Sequence, residues 1–542
     1  MALKPPLTHL PIWTDSSGFY EGFNRTVTVG SKFLIVLLIL WAIVMPEQAG
    51  AVLKTINAIV LSNFGAWYVY VVAAFVLVCF GLAIWPATGA IRLGRPGEQP
   101  EFSNFSWFSM MFGAGIGIGM LTYSTAEPIY HFANNPDVIL GYAAGASAES
   151  VRPAYKWSFM HWGISAWSCY AVIGLALAFF SYSRGLPLTI RSGLTPLFGS
   201  ALQGPLGHAV DIVAVVATVL GVATTIGLGV SQFASGIHTI TGAGWMMSDG
   251  KPTIAAMLLA LVLVMGASTL SALSGVGRGI KWLSNLNMGL TIFLLAFFLV
   301  FGSTLFALKA YFVGLLDYVI ALPSMMLTVW RSDGSQHGAA LAEWQSSWTV
   351  FYWAWWISFA PFTGLFLARV SRGRTVREFI LGAILVPSLV CFAWFALVGG
   401  TAIDLELNGA AQGAILNAGL SSQLFATLGV MLPQALHTAM SVIVVVLLLT
   451  YLVTSADSAI LIINTINSGG DESQKGGGHI LIWGAAVTVV IASLLWAGGL
   501  EAIQTAMIIG ALPFSAIMAL MVLALIKALI RDGIRAREAA HA

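Results

Sequence analysis

Charge is what this sequence has least of. Its 24 Lys and Arg and 22 Asp and Glu make up 8% of 542 residues, against roughly 25% in an ordinary soluble domain. That deficit excludes a soluble fold, because 58% of the chain is hydrophobic. The signs nearly balance at a net +2, which leaves no basic field for nucleic acid and no acidic tail. Cysteine is almost missing. Cys79, Cys169 and Cys391 sit singly in apolar runs without a CxxC or Cys/His pairing, which excludes a disulfide framework or a zinc site and makes them small core residues. Catalytic patterns are missing too: there is no Ser/His/Asp or HExxH arrangement and the nine His are scattered. No catalytic residue is therefore predicted, and the chain is not read as an enzyme. The polar start, with Thr14, Asp15, Ser16 and Ser17, does not resemble a cleaved signal peptide with its basic start and short apolar centre. The first apolar run is expected to stay in the mature protein.

What the chain has in abundance is long apolar runs. Twelve stretches centre near residues 40, 77, 117, 170, 222, 262, 295, 358, 388, 447, 488 and 515, each long enough to cross about 30 Å of hydrocarbon as a helix. Helices are required because lipid offers the backbone no hydrogen-bond partner. The predicted fold class is an all-α integral membrane protein with twelve transmembrane helices, and its partner is the lipid bilayer. Placing both termini inside the cell puts 18 of the 24 Lys and Arg on cytoplasmic loops, and only Lys54, Arg152, Lys156, Lys251, Lys309 and Arg331 outside. Basic loops stay cytoplasmic, so this segregation favours an even number of spans. Residues 310–344 mix Tyr311, Phe312, Asp317, Tyr318, Trp330, Arg331 and Asp333. They are expected to lie along the outer interface as an amphipathic helix.

Three spans carry chemistry. The third contains Gly113, Gly115, Gly117 and Gly119 at every second position around Ala114, Ile116 and Ile118. Glycine costs about 1 kcal/mol relative to Ala within a helix, so the run predicts an unwound segment. At membrane depth such backbone lines a cavity, where free carbonyls can coordinate a cation; close helix packing through small residues is the alternative. The eighth span reads Trp344-Gln345-Ser346-Ser347-Trp348, then Phe351-Tyr352-Trp353-Ala354-Trp355-Trp356-Ile357-Ser358 with Pro361 and Gly364; an interruption is expected there. The fourth offers His161-Trp162, Trp167 and Tyr170. Interfacial belts explain most membrane Trp, yet these rings lie toward span middles. Together they suggest a cage for a cation without hydrogen-bond donors, a quaternary ammonium or a sulfonium. Three or four rings at roughly 0.5–2 kcal/mol each give about 2–8 kcal/mol gross. In the tenth span Thr454-Ser455-Ala456-Asp457-Ser458 could complete an oxygen shell for a monovalent cation, or bond back to its own helix. Glu127, next to Pro128, and Asp457 are the strongest intramembrane acids; Asp211 falls near the start of span five.

With these segments the chain resembles the betaine/carnitine/choline transporter family. The resemblance rests on Gly113 to Gly119 followed by Glu127-Pro128, on His161-Trp162, Trp167 and Tyr170, on Phe351 to Ser358 with Ala368-Arg369 and Ser371 to Arg374, and on Thr454 to Ser458. It implies two extra N-terminal helices, residues 31–100, after a cytoplasmic segment, residues 1–30. Two inverted five-helix repeats follow, residues 101–309 and 345–527, in the LeuT-like fold of sodium-coupled amino-acid carriers; residues 528–542 form a short tail. It implies a homotrimer in the bacterial inner membrane. The family's aromatic box falls on Trp162, Trp167, Tyr170 and Trp356, with Trp353 and Trp355 as pathway rings and Gly115, Gly117 and Gly119 beside the substrate. Its sodium site falls on Gly113 and Ile116 through backbone oxygens and on Thr454 and Ser455 through hydroxyls. A second sodium site would use Thr218 and Phe362, but Val222 stands where a further threonine is expected, so Thr224 or Thr225 would have to substitute. No cofactor is implied beyond sodium as coupling ion. No Lys or Arg lies between Arg191 and Lys251 to replace sodium with a fixed charge, which favours sodium coupling. Gly119 stands where choline carriers often have an acid, which favours a zwitterion such as glycine betaine or dimethylsulfoniopropionate. The expected function is sodium symport of such a solute by alternating access. The alternative is a proton-coupled or exchange carrier for choline or carnitine, with Glu127 or Asp457 accepting the proton.

Overall fold

A computed structural model of the chain describes residues 5–541 except Pro96, Ile116, residues 275–280 and residues 474–475; the side chains of residues 109, 112–115, 281 and 536–541 also lie outside the description. Among the described residues the regular secondary structure is helical, apart from a two-stranded ribbon, Met247–Ser248 with Lys251–Pro252, and two isolated bridges, Asp15 with Glu21 and Arg92 with Thr375. Eleven of its helical stretches are long and apolar enough to cross a membrane. The principal helices are α1 (Arg25–Val44), α2 (Pro46–Ile84), α3 (Asn104–Gly115), α4 (Ile118–Ala133), α5 (Val151–Trp162), α6 (Ile164–Ala178), α7 (Pro205–Thr241), α8 (Ile254–Ser274), α9 (Lys281–Phe301), α10 (Thr304–Met325), α11 (Gly338–Gln345), α12 (Phe351–Val370), α13 (Val376–Trp394), α14 (Gln434–Asn467) and α15 (Gly477–His541).

Burial sorts these helices into a centre and a rim. The apolar windows of Ala148–Ser183, Pro205–Thr241 and Gly338–Val370 are 94%, 83% and 89% buried, whereas those of Arg25–Val44, Trp282–Phe301 and Thr304–Met325 are only 28%, 22% and 22% buried. Apolar helices left open at the rim need lipid around them, and the central three are free to carry polar groups that the protein itself satisfies.

Three helices break, and each break has a local cause. The glycine run separates α3 from α4: Gly117 has non-helical angles, φ −165° and ψ −125°, and α4 starts at Ile118. Gly163 divides α5 from α6 with φ −98° and ψ −138°; a Cβ there would meet the Phe159 carbonyl and the Phe392 ring at 2.5 Å. Within α15, Gly498 and Gly499 leave helical geometry, Gly499 with φ +68°.

The eighth span differs from expectation. Pro361 and Gly364 do not interrupt it, since α12 runs through both, and the irregular turn is a π-helical one at Ser346–Val350 before α12 begins. Proline removes one backbone donor without forcing the chain out of the helix when neighbours hold it. Gly364 instead admits α6, whose Gly174 would place a Cβ 3.2 Å from the Gly364 carbonyl, a close crossing through small residues. The segment at 310–344 is also not one helix: α10 begins at Thr304 and ends at Met325, and α11 leads straight into the eighth span. Helix α10 is fixed to the fourth span, with Arg152 paired to Asp317 at 2.6 Å and the Ile164 amide donating to the Tyr318 hydroxyl at 3.1 Å.

Two polar clamps tie the loops. The turn after α12 pairs with the loop after α2, the Leu93 amide donating to the Arg374 carbonyl and the Gly373 amide to the Leu93 carbonyl, both at 2.8 Å, and Arg372 pairs with Glu98 at 2.6 Å. Deeper in the protein Arg191 meets Asp211 at 2.6 Å with both side chains fully buried.

Candidate functional site

Helices α4, α5, α6 and α12 converge on a cluster of buried rings. Trp162 ends α5, Tyr170 lies on α6, and Tyr352, Trp355 and Trp356 occupy the first two turns of α12 at i, i+3 and i+4, hence on one face. Trp162 meets Trp356 edge to face at 5.0 Å between centroids, Tyr352 at 5.6 Å and Trp355 at 6.4 Å. Trp355 and Trp356 stack at 5.1 Å, Tyr170 closes on Trp356 at 6.1 Å, and Tyr123 of α4 packs against Trp162 at 6.1 Å and Trp355 at 6.0 Å.

The polar edges of the three indoles and of Tyr352 are taken up by the protein. Trp356 donates its indole N–H to the His161 carbonyl at 2.9 Å, one of the last carbonyls of α5 that the break at Gly163 leaves without a helical partner. Trp355 donates to the Thr225 hydroxyl at 3.0 Å. Trp162 and the Tyr352 hydroxyl both donate to Glu127 Oε2 at 2.6 Å. Glu127 Oε1 lies 2.6 Å from His161 Nδ1 and 3.2 Å from His131 Nε2. With the indole N–H groups and the Tyr352 hydroxyl committed in this way, what these four rings offer a ligand is π surface.

Of the six predicted rings, Trp162, Tyr170, Trp355 and Trp356 come together. Trp167 touches only Tyr170 among them, at 5.6 Å. Trp353 has its ring edge-on to His161 at 5.9 Å and makes no ring contact with the cluster among the described residues. Tyr123 and Tyr352 are additions. Their signal is spacing: Gly119, Tyr123 and Glu127 recur every fourth residue along α4 and so share a face. A Cβ on Gly119 would lie 3.0 Å from both Trp162 and Trp355, so this glycine is what lets the two indoles approach α4.

The glycine run meets the tenth span on its other side. A Cβ on Gly117 would lie 3.4 Å from the Tyr451 ring and 3.8 Å from Ser455 Oγ, which puts the helix break beside α14. Gly113 and Gly115 belong to the last turn of α3, and Ile116 lies outside the described residues. Thr454 bonds back to the Thr450 carbonyl at 2.9 Å and accepts from Asn287 of α9 at 3.0 Å; Thr291 of α9 bonds the Tyr451 hydroxyl at 2.7 Å. Asn287 and Thr291 are two polar partners that the sequence pattern did not single out.

Helices α7 and α12 run antiparallel through the pairs Thr225–Trp355 and Gly221–Ser358. Thr218 donates to the Ala214 carbonyl of its own helix at 2.8 Å, and Phe362 packs against Phe359 at 4.9 Å. Thr224 and Thr225 likewise bond back to the Leu220 and Gly221 carbonyls, and Thr225 also accepts from Trp355. Asp457 accepts from Ser271 of α8 at 2.7 Å and Ser458 at 3.1 Å. Glu127, His131 and His161 offer metal-ligand atoms within 4.8 Å of one another. Trp162 and Tyr352 already donate to Oε2 of that carboxyl group, and its Oε1 faces the two imidazoles.

A profile of the betaine/carnitine/choline family of transporters matches residues 26–534. The glycine betaine transporter OpuD of Bacillus subtilis (strain 168) is 37% identical over 510 residues, covering 93% of this chain and 95% of that protein. A probable glycine betaine transporter of Desulfitobacterium hafniense (strain Y51) is 37% identical over 94% of this chain and 98% of its own length. The high-affinity choline transport protein of Escherichia coli (strain K12) is 36% identical over 96% of this chain and 74% of its own. The chain therefore belongs to the betaine/carnitine/choline family of membrane transporters, and it is not an enzyme.

Proposed function

We propose that the chain imports a zwitterionic onium solute, glycine betaine or dimethylsulfoniopropionate, together with sodium by alternating access. The observation that carries this is the buried ring cluster of Trp162, Tyr170, Trp355 and Trp356, with its indole N–H groups held by protein acceptors. A methylated ammonium or sulfonium donates no hydrogen bond and is attracted by ring faces within about 6 Å of their centroids. The rings now touch one another at 5–6 Å, so they part to admit the headgroup, and the rocking of one helix group against the other supplies that movement. The same chemistry covers nitrogen and sulfur headgroups.

Sodium sits between the backbone at the break around Gly117, with Gly113 and Ile116 contributing, and Thr454 and Ser455 of α14; Thr218 with Phe362 is a weaker second position. Each charge crossing 100 mV contributes about 2.3 kcal/mol, so two ions supply about 4.6 kcal/mol, over a thousandfold in accumulation. Architecture follows the same reading. Joining α3 to α4, dividing α15 at Gly498 and laying α10 along the outer interface gives twelve spans with both termini cytoplasmic, two inverted five-helix repeats after α2, and a homotrimer in the plasma membrane.

The test is uptake in proteoliposomes. Trp356→Leu is expected to abolish uptake while leaving expression intact, and normal uptake by that variant refutes the cage. Replacing Thr454 and Ser455 by Ala is expected to raise the sodium concentration for half-maximal uptake; an unchanged dependence refutes the ion site. A proton-coupled or exchange carrier for choline or carnitine is the second reading, favoured by a fully buried Glu127 whose partners are His, Trp and Tyr. Uptake that is indifferent to an imposed sodium gradient selects it.

A further inference from the structure

Glu127 is buried in the middle of the bundle, and among the described residues its ion-pair partners are two imidazoles and neither Lys nor Arg. Its hydrogen bonds suit a carboxylate. The indole N–H of Trp162 can only donate, and both Trp162 and Tyr352 point at Oε2, which leaves no room for a proton there. On Oε1, His161 faces the carboxylate through Nδ1 while its Nε2 lies 3.1 Å from the Thr349 hydroxyl. A neutral imidazole protonated at Nδ1 satisfies both contacts, donating to Glu127 and accepting from Thr349. His131 completes the set through Nε2. Two fixed donors and two imidazole nitrogens thus converge on one carboxyl group, with no Lys or Arg against it among the described residues.

Two of those donors are the outer edges of cluster rings. A hydrogen bond to a carboxylate pushes electron density into the ring that donates it, and makes its faces more negative toward a cation. The negative charge also lies behind Trp162 and Tyr352, within a water-poor interior where Coulomb attraction is weakly screened. Gly119 supplies no acid to the cluster, and Glu127, two turns further along the same face of α4, supplies one through the rings.

We propose that Glu127 is the counter-charge of the ring cluster and a specificity-determining residue, positioned behind Trp162 and Tyr352 so that the site takes net-cationic onium solutes of the choline type as well as zwitterions. The inference rests on the ring cluster being the onium site. A zwitterion brings its own carboxylate, which Glu127 repels, so removing the charge weakens a purely cationic ligand more.

The experiment uses the purified full chain, with tryptophan fluorescence titrated by choline and by glycine betaine in sodium buffer. Wild type is expected to bind both. Glu127→Gln keeps the size and one acceptor oxygen and is expected to weaken choline by about tenfold and glycine betaine by about threefold or less. Tyr352→Phe keeps the ring and deletes one donor; its choline loss is expected to be smaller, and in the double variant the two losses add to less than their sum. Parallel weakening of both ligands in Glu127→Gln overturns the proposal, since a packing role predicts that, and so does wild type that binds glycine betaine alone. Should Glu127→Gln fail to fold, an unchanged ratio of the two affinities in Tyr352→Phe overturns it equally. Wild type that binds neither ligand refutes the onium site itself, a different failure.

Discussion

Asp211 and Glu127 are both fully buried acids in the helical bundle, yet the protein treats them in opposite ways. Asp211, on α7, is held by Arg191: the guanidinium Nε donates to Oδ2 at 2.6 Å and the Arg191 amide to Oδ1 at 3.1 Å, while Nη1 reaches the Leu202 carbonyl at 3.2 Å. Its charge is cancelled by a neighbour that cannot leave, which makes the pair a fastener between α7 and the loop before it. Among the described residues Glu127 is met by Trp162, Tyr352 and two imidazoles and by neither Lys nor Arg. On the proposal above, its charge is stabilised but not cancelled, and the cationic headgroup of the solute cancels it. Asp457 stands between the two, held by the hydroxyls of Ser271 and Ser458. A buried acid with a resident cation serves the scaffold, and one held by ring edges and imidazoles is the one proposed to serve the cargo.

The sharpest way to break this comparison is Arg191→Leu. It leaves Asp211 buried without its cation, and it is expected to cost about 3–5 kcal/mol of stability, seen as a large fall in melting temperature of the purified protein. A melting curve like wild type would show that Asp211 is not a fastener. Glu127→Gln is expected to cost less, about 1–3 kcal/mol, because the amide oxygen still accepts from one of the donors. If it destabilised more than Arg191→Leu, the assignment of roles would be reversed. Gly119→Ala tests the path between Glu127 and the rings. Its methyl would sit 3.0 Å from two indoles, and about 1–3 kcal/mol of overpacking is expected to appear as weaker glycine betaine binding rather than as unfolding. An unchanged dissociation constant would detach α4 from the ring cluster.

The smallest effect is expected at the loop clamp. The Arg95 amide, and then the Arg372 charge, hold the Glu98 carboxyl below the usual carboxylate range. A carboxyl with a lowered folded value contributes stability above its unfolded value, near pH 4.3, and loses it as pH falls through the folded value. Replacing Glu98 by Gln should therefore flatten slightly the loss of melting temperature on acidification. An identical pH profile would show that the Arg372 pair contributes nothing.

Some of the site was open to reading in one dimension. The glycine run foretold a break, and the helix stops between Gly115 and Ile118. The tryptophans of the fourth and eighth spans foretold convergence, and Trp162 does meet Trp356. Other features were closed to it. Pro361 and Gly364 read as a stop, but α12 passes through because α6 packs on it at Gly174. The break that matters in the fourth span is at Gly163, a lone glycine whose role depends on Phe392 more than two hundred residues away. Trp353 carries the same side chain as its neighbours, and only its position around α12 removes it from the cluster.

By itself the sequence determined that this chain lives in lipid, is built of helices and carries rings and hydroxyls in its spans, because hydrophobic length and backbone satisfaction in hydrocarbon are local requirements that each segment meets or fails alone. Tertiary structure decided which indole gives its N–H to which acceptor, which acid receives a resident cation, and which glycine bends and which packs. Those outcomes depend on partners distant in the chain, and the cost of leaving a buried polar group unpaired selects among them only once the helices are side by side.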